Sequence, residues 1–412
     1  MTIEFPQHAA SPYFEVEDDC MRVGGESLAA LARRIGSTPF YVYDRSIVAR
    51  RIEELRAVLP RQIHLHYAIK ANPMPDLVRF IAPRVDGLDV ASAQELRVAL
   101  QSDTVPGHIS FAGPGKSEAE LAAAAAAGIV INVEADRELP ILARIGAASG
   151  RKPLVAIRVN PDFELKSSGM KMSGGPKQFG IDAERVPEVL ATLGGLALEF
   201  MGFHIYSGSQ NLRSDSIIEA QKKSVDLAVR LAQFAPVPPC ILNIGGGFGV
   251  PYFPGEVRLD LRPIGAAMAE LVETARAALP HAQLVVELGR YLVAEAGLYV
   301  CRVIDRKISR GHVFLVTDGG LHHHLAASGN FGQIIRKNYP VLVGNHVRGA
   351  EREVVSVVGP LCTPLDLLAD RYEMARAVPG DLIAVLQSGA YGLTASPLGF
   401  LSHPHPAELL VG

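Results

Sequence analysis

At 412 residues the chain exceeds what one compact core usually holds, so a large domain with a smaller companion is expected. Hydrophobic residues at 48% and charged residues at 20% exclude a disordered chain. Forty basic against 43 acidic residues leave a formal net charge of -3, which offers no global field for nucleic acid or an anionic membrane and points to a small-molecule partner.

The opening residues, MTIEFPQHAASPYF, carry neither a basic n-region nor an apolar h-region. No stretch reaches the roughly 18 apolar residues of a spanning helix, so neither export nor membrane insertion is expected. The cysteines Cys20, Cys240, Cys301 and Cys362 are scattered without CxxC spacing, which fits a reducing compartment and makes cytoplasm the default. Residues 1–40 contain no β/α unit and are expected to pack with a C-terminal domain.

Short apolar runs closed by turn residues then recur at Ile63–Ile69, Val85–Val90, His108–Ala112, Ile129–Val133, Leu154–Val159, Phe200–Tyr206, Cys240–Ile244 and Leu284–Leu288. Amphipathic stretches separate them, one opened by Ser117 with Glu120 three residues on, the capping-box arrangement. Strands rich in Val and Ile suit a parallel sheet buried on both faces. Eight such units over roughly 250 residues predict an α/β fold with a closed (β/α)8 barrel, a TIM barrel, across residues 41–296, in preference to an open doubly wound sheet. After Ala296 the runs Cys301–Ile308, Val313–Thr317, Val354–Val358 and Leu382–Leu386 predict a β-rich domain over residues 297–412.

Chemistry in such barrels sits where the strands end at the C-terminal face, and the residues there are informative. The first strand ends in HYAIKANP, placing Lys70 at the rim. An isolated lysine is usually a snorkelling surface residue, but desolvation at a barrel mouth would lower its pKa and make the amine a nucleophile fit for Schiff-base chemistry. The seventh strand runs into Gly245, Gly246 and Gly247, and the eighth into Glu287, Gly289 and Arg290. Loops after these two strands form the usual barrel phosphate site, where side-chain-free residues let backbone N–H groups approach an anion and an arginine adds a charge-assisted contact. A lone glycine triplet is more often a tight turn, so position carries the weight. Glu287 is suited to keep a pyridine nitrogen protonated and so preserve the ring as an electron sink. His204, near the end of the sixth strand, is placed to stack on such a ring, Ser207 to reach its phosphate, and Asp89, at the end of the second, to orient Lys70 or the imidazole.

With these motifs in order, the chain resembles the fold-type III pyridoxal-5'-phosphate decarboxylases, the group of diaminopimelate, ornithine and arginine decarboxylases. YVYD from Tyr41, YAIKAN around Lys70, LDVAS around Asp89, FHIYSGSQ around His204, GGGFG from Gly245, ELGR from Glu287, GPLC ending at Cys362 and GAYG around Tyr391 span nearly the whole chain. The resemblance implies an alanine-racemase-type barrel followed by a β-domain, with pyridoxal 5'-phosphate bound to Lys70, His204 on its ring and Glu287 at its nitrogen. Ser207, the three glycines, Gly289, Arg290 and Tyr391 are then cofactor-binding residues, and Lys70, His204, Glu287 and Cys362 catalytic ones. It further implies a head-to-tail homodimer with shared active sites, in which Cys362 arrives from the neighbouring subunit and protonates Cα after carbon dioxide leaves.

Departures from the family pattern bear on the substrate. Thr363 follows the cysteine where an acidic residue commonly meets a distal amine, and DGGLHHHLAASGNFGQ lacks the arginine-containing element of diaminopimelate decarboxylases, although Asp318 is retained. CTPLD, the histidine run and the SHPHPAELLV tail look more like a subgroup from biosynthetic clusters, which includes carrier-protein-linked glutamyl decarboxylases. The expected partner is therefore an amino acid, free or carrier-bound, met by Asp318, Thr363, His323 and Tyr391. Adjacent side chains in the run His322–His324 alternate in direction, so no metal is expected. The loop LKSSGMKMSGGPKQFG is expected to cover the catalytic face. Diaminopimelate decarboxylase proper, an amino-acid racemase, a non-catalytic pyridoxal-phosphate-binding protein and a cofactor-independent Schiff-base aldolase are the competing readings, and Glu287 speaks against the racemase, which usually pairs the ring nitrogen with arginine.

Overall fold

A computed structural model describes residues 7–164, 170–171 and 174–412. Of the expected covering loop after the fifth strand, residues 165–169 and 172–173 lie outside the described residues.

The chain forms two compact units. The first, residues 51–249 and 259–289, is a barrel. Its strands are β1 His64–Ala68, β2 Gly87–Val90, β3 Ile109–Phe111, β4 Val130–Val133, β5 Leu154–Asn160, β6 Glu199–Ile205, β7 Ile241–Gly246 and β8 Gln283–Leu288. All pair in parallel with their chain neighbours, β8 pairs with β1 and β4 with β5, so the sheet closes on itself. Each strand lies within two residues of its sequence-derived run. Helices fill the crossovers, as parallel pairing requires. In the helix Glu118–Ala127 the capping box is present, Ser117 accepting from the Glu120 N–H and the Glu120 carboxylate reaching back to Ser117, and Gly128 closes the far end in the left-handed region.

Every strand of this barrel buries at least one polar residue: His66 on β1, Asp89 on β2, Ser110 on β3, Asn132 on β4, Arg158 on β5, His204 on β6, Asn243 on β7 and Glu287 on β8. Neighbours along this belt join. Asn132 donates to Ser110 Oγ at 3.2 Å, Ser110 donates to Asp89 Oδ1 at 2.5 Å, and His66 Nδ1 lies 3.3 Å from the same oxygen. Pairing polar groups in this way is what makes their burial tolerable.

The second unit combines the described residues up to Arg50 with residues 250–258 and 290–412. Its main strand, Gly297–Ser309, pairs antiparallel with Phe40–Asp44, Leu382–Val385 and His312–Thr317. Arg352–Val358 and Leu367–Ala375 extend the sheet beyond His312–Thr317, while Ala407–Val411 lies parallel to Phe40–Asp44 on the other side. An apolar cluster beneath it is built from Met21, Val23, Leu28, Leu31, Phe40, Val42, Leu298 and Val300, among others, and the unit also buries His322, His323, His324 and Asp366. Among the described residues, no helix is long and apolar enough to cross a membrane.

Candidate active site

Lys70 stands in a single helical turn, Ile69–Ala71, immediately after β1. Its neighbours Ile69 and Ala71 are buried while the lysine itself is exposed, and the Tyr67 hydroxyl donates to Asn72 O at 2.8 Å across the turn. Lys70 Nζ lies 5.7 Å from the centroid of the Tyr206 ring, the residue that follows β6. The end of β8 runs against the same turn. A Cβ on Gly289 would come within 2.9 Å of Ala71 Cβ and 3.1 Å of Ala68 O, so only glycine permits this approach.

Glu287 faces His66 across the β8–β1 ladder and so shares a rim with Lys70. Its carboxylate Oε2 accepts from Asn243 Nδ2 at 3.0 Å and lies 3.0 Å from His204 Nε2. The second contact is an ion-pair distance without hydrogen-bond alignment, and among the described residues both ring nitrogens of His204 lack an aligned partner although the residue is only 2% exposed. Burial alone would push the Glu287 carboxyl up, but His204, Lys70 and Arg158 outweigh it and hold the group well below the usual carboxylate range. Arg158 is itself paired with Glu134 at 2.8 Å. Asp89, opposite Ala68 on β1, engages Ser110 and His66 through Oδ1, and its buried Oδ2 has no hydrogen-bond partner among the described residues.

The loops after β6 and β7 lie flat against each other. Asn211 N–H donates to Gly247 O at 2.9 Å and Gly249 N–H to Asn211 O at 2.8 Å, while Ser207 is buried at the start of the first loop. Gly247 has φ +73°, and a Cβ there would sit 2.1 Å from Gly208 O. Gly245 and Gly246 lead into this turn at the end of β7.

The remaining expected residues belong to the sheet unit. Arg290, next in the chain after Gly289, donates to the Tyr252 hydroxyl at 3.1 Å and stacks on the Tyr391 ring at 4.7 Å, while its buried Nε has no hydrogen-bond partner among the described residues. Cys362 is an exposed free thiol beside Thr363. Its loop is shaped by a residue that sequence reasoning passed over: the buried Asp366 carboxylate accepts from the Leu321 N–H at 2.6 Å and the Leu361 N–H at 2.9 Å, and burial raises its pKa. Both oxygens of Asp318 are taken, by Thr38 and by the Arg302 N–H. His323 is 1% exposed, with Nε2 3.0 Å from Pro404 O and Nδ1 3.3 Å from the Tyr299 hydroxyl, and burial pushes it down to about 4. These contacts make Asp318 and His323 parts of the sheet unit's framework and leave neither His323 nitrogen for a substrate. Asn243, Tyr206 and Tyr252 also went unread; for Asn243 the signal was a lone polar residue in the apolar run ILNIGGG.

Residues 45–294 match the family described as "Pyridoxal-dependent decarboxylase, pyridoxal binding domain". The chain belongs to this family. This decarboxylase is 40% identical to the L-glutamyl-[BtrI acyl-carrier protein] decarboxylase of Niallia circulans, over 95% of its length and 92% of that protein. It is 32% identical to the diaminopimelate decarboxylase of Aquifex aeolicus, over 97% and 93% of the two chains. The crystal structure of diaminopimelate decarboxylase from M. jannaschii superposes with a TM-score of 0.88 at 25% identity, covering 97% of this chain and 93% of that one. The decarboxylase is thus a carboxy-lyase that acts on an amino acid with pyridoxal 5'-phosphate as cofactor. The barrel's residues fit that group: a buried imidazole at His204 whose ring nitrogens have no aligned hydrogen-bond partner among the described residues, and a turn at Gly247 that any side chain would fill.

Proposed function

We propose that the enzyme removes the α-carboxylate of an acidic amino acid carried on a protein thioester, with Lys70 as the amine that holds the cofactor's aldehyde and reclaims it after turnover. The observation that carries this reading is that Glu287 on β8 pairs with His66 on β1, the strand that leads into Lys70, with Gly289 packed against the turn that carries the lysine. When bound, the cofactor supplies a sink for the electron pair left on Cα as carbon dioxide departs. Glu287, with Oε2 engaged by Asn243 and His204, offers its other oxygen to the ring nitrogen, and its depressed pKa keeps it an anion that can hold a proton there. His204 packs on the ring, while Asp89 fixes the β2 end beside Lys70. Ser207, the turn Gly245–Gly247 and Gly289 would hold the phosphate from the barrel loops, and Arg290 and Tyr391, stacked on one another, are assigned to the same group. Cys362 delivers the proton to Cα, next to Thr363 in the substrate pocket.

Two features favour a carrier-bound acid over a free diamine. The 40% identity to a carrier-protein glutamyl decarboxylase extends over almost the entire chain, and the neutral Thr363 provides no partner for a distal ammonium group. Measuring carbon dioxide release from a glutamyl carrier-protein thioester, free glutamate, ornithine and diaminopimelate tests the reading. Turnover of the thioester alone or far above the rest is expected; equal turnover of free diaminopimelate would remove the carrier from the proposal.

The same reading makes the enzyme a homodimer with Cys362 acting across subunits, in the cytoplasm, where the free cysteines remain reduced. Mixing the Lys70→Ala and Cys362→Ala variants checks this. Random reassortment with shared sites should restore up to about a quarter of wild-type activity, because half the dimers then carry one intact site. A mixture no more active than its components would show that each subunit supplies both groups to its own site.

A further inference from the structure

Between the pairs Asn243–Val285 and Gly246–Glu287, β7 carries one residue more than β8. An extra residue of this kind bends the strand and re-aims the residues beyond it, a common device at barrel rims beside active sites. Here the bulge is closed by the side chain that precedes it. Asn243 Oδ1 accepts the Gly245 N–H at 2.8 Å, a side-chain contact to the backbone two residues on. With its carbonyl committed, the orientation of the amide is decided, and Nδ2 donates to Glu287 Oε2 at 3.0 Å. The residue is 5% exposed and sits beside His204 in the β6–β7 ladder.

We propose that Asn243 is a positioning residue that couples the two ends of the cofactor site, a single carboxamide holding both the glycine turn and the ring-nitrogen carboxylate. The inference rests on the proposed roles of the turn and of Glu287. Its chemistry is specific to a carboxamide, which presents one acceptor and one donor in a fixed plane. Leucine, of similar size, presents neither. Aspartate keeps the acceptor for Gly245 but sets a second carboxyl against Glu287, and two carboxyls so close cannot both ionise without cost, so one of them retains a proton to higher pH. While that proton is present, the introduced carboxyl can still donate to Glu287; once it leaves, the contact becomes a repulsion.

The test is a titration of wild-type, Asn243→Asp and Asn243→Leu apoenzymes with pyridoxal 5'-phosphate, followed by absorbance and protein fluorescence from mildly acid to alkaline pH. Asn243→Leu is expected to bind about ten- to a hundredfold more weakly at every pH, the range for losing a hydrogen bond to a buried charged group. For Asn243→Asp, affinity should be close to wild type on the acid side and fall as pH rises, with a matching change in the bound cofactor's absorbance that the wild type lacks. A merely structural asparagine would lower thermal stability without that pH-dependent spectral change. Should the leucine variant fail to fold, the aspartate titration decides alone. Wild-type binding accompanied by an aspartate variant that follows it at every pH would overturn this inference and leave the proposed function standing. A wild-type apoenzyme that takes up no pyridoxal 5'-phosphate would overturn both.

Discussion

The apolar cluster of the sheet unit and the polar belt of the barrel are built on opposite principles. Beneath the sheet, Phe40, Val42, Leu298 and Val300 belong to one apolar cluster and the unit's buried histidines come from a single stretch, His322–His324, whereas inside the barrel all eight strands contribute a buried polar residue to one belt. The apolar core is stabilised by area removed from water and by close packing. The belt carries a desolvation cost that its hydrogen bonds only partly offset, and its unmet atoms, Asp89 Oδ2 and the His204 nitrogens, cluster on the residues assigned to the cofactor. The apolar cluster is arranged for stability, and the belt gives some of it up to keep polar groups poised for a ligand.

Three substitutions probe that contrast. Lys70→Ala should abolish carbon dioxide release and the absorbance of bound pyridoxal while leaving the apoprotein's melting temperature unchanged, because the Lys70 side chain is exposed; a variant retaining full turnover would end the assignment. Phe40→Ala in the fully buried sheet core should cost about 3–5 kcal/mol by denaturant unfolding, the range for emptying an aromatic site. Cofactor titrated at a temperature where this variant stays folded should bind as in wild type. Ser110→Ala removes the hydroxyl donor to Asp89 in the middle of the belt and should cost about 1–3 kcal/mol while also weakening pyridoxal binding, a double effect the sheet core cannot produce. If Ser110→Ala lowered stability alone, the belt would be separable from the site.

Much of the barrel was legible because each strand is a short apolar run ended by a turn, a local signal, and because the motifs at the strand ends fall where barrel chemistry collects. HYAIKAN, GGGFG and ELGR marked three positions that the fold brings to one rim. The belt itself was hidden: single polar residues such as Asn132 in VINV or Asn243 in LNIG look like noise in an apolar run until closure brings them side by side. The sheet unit was less readable for a different reason. Leu367–Ala375 reads LLADRYEMA, without clean alternation, and it pairs with Arg352–Val358 through two register shifts. Phe40–Asp44 and Ala407–Val411 are strands only by virtue of each other and of Gly297–Ser309, pairings that no local window contains. Residues 250–258, placed inside the barrel stretch by chain order, belong to the sheet unit through contacts of the same long-range kind.

That arrangement has a consequence during synthesis. FYVYD at 40–44, every residue of it buried in the finished protein, leaves the ribosome before any barrel strand, yet both of its neighbours are encoded after the barrel. Throughout translation of the intervening chain it is an aromatic β-segment with two open edges, the kind of stretch that pairs with copies of itself. Polypeptides truncated within the barrel should therefore precipitate through this segment, and a lysine placed at Val42 should keep such fragments in solution while preventing the full-length sheet from closing.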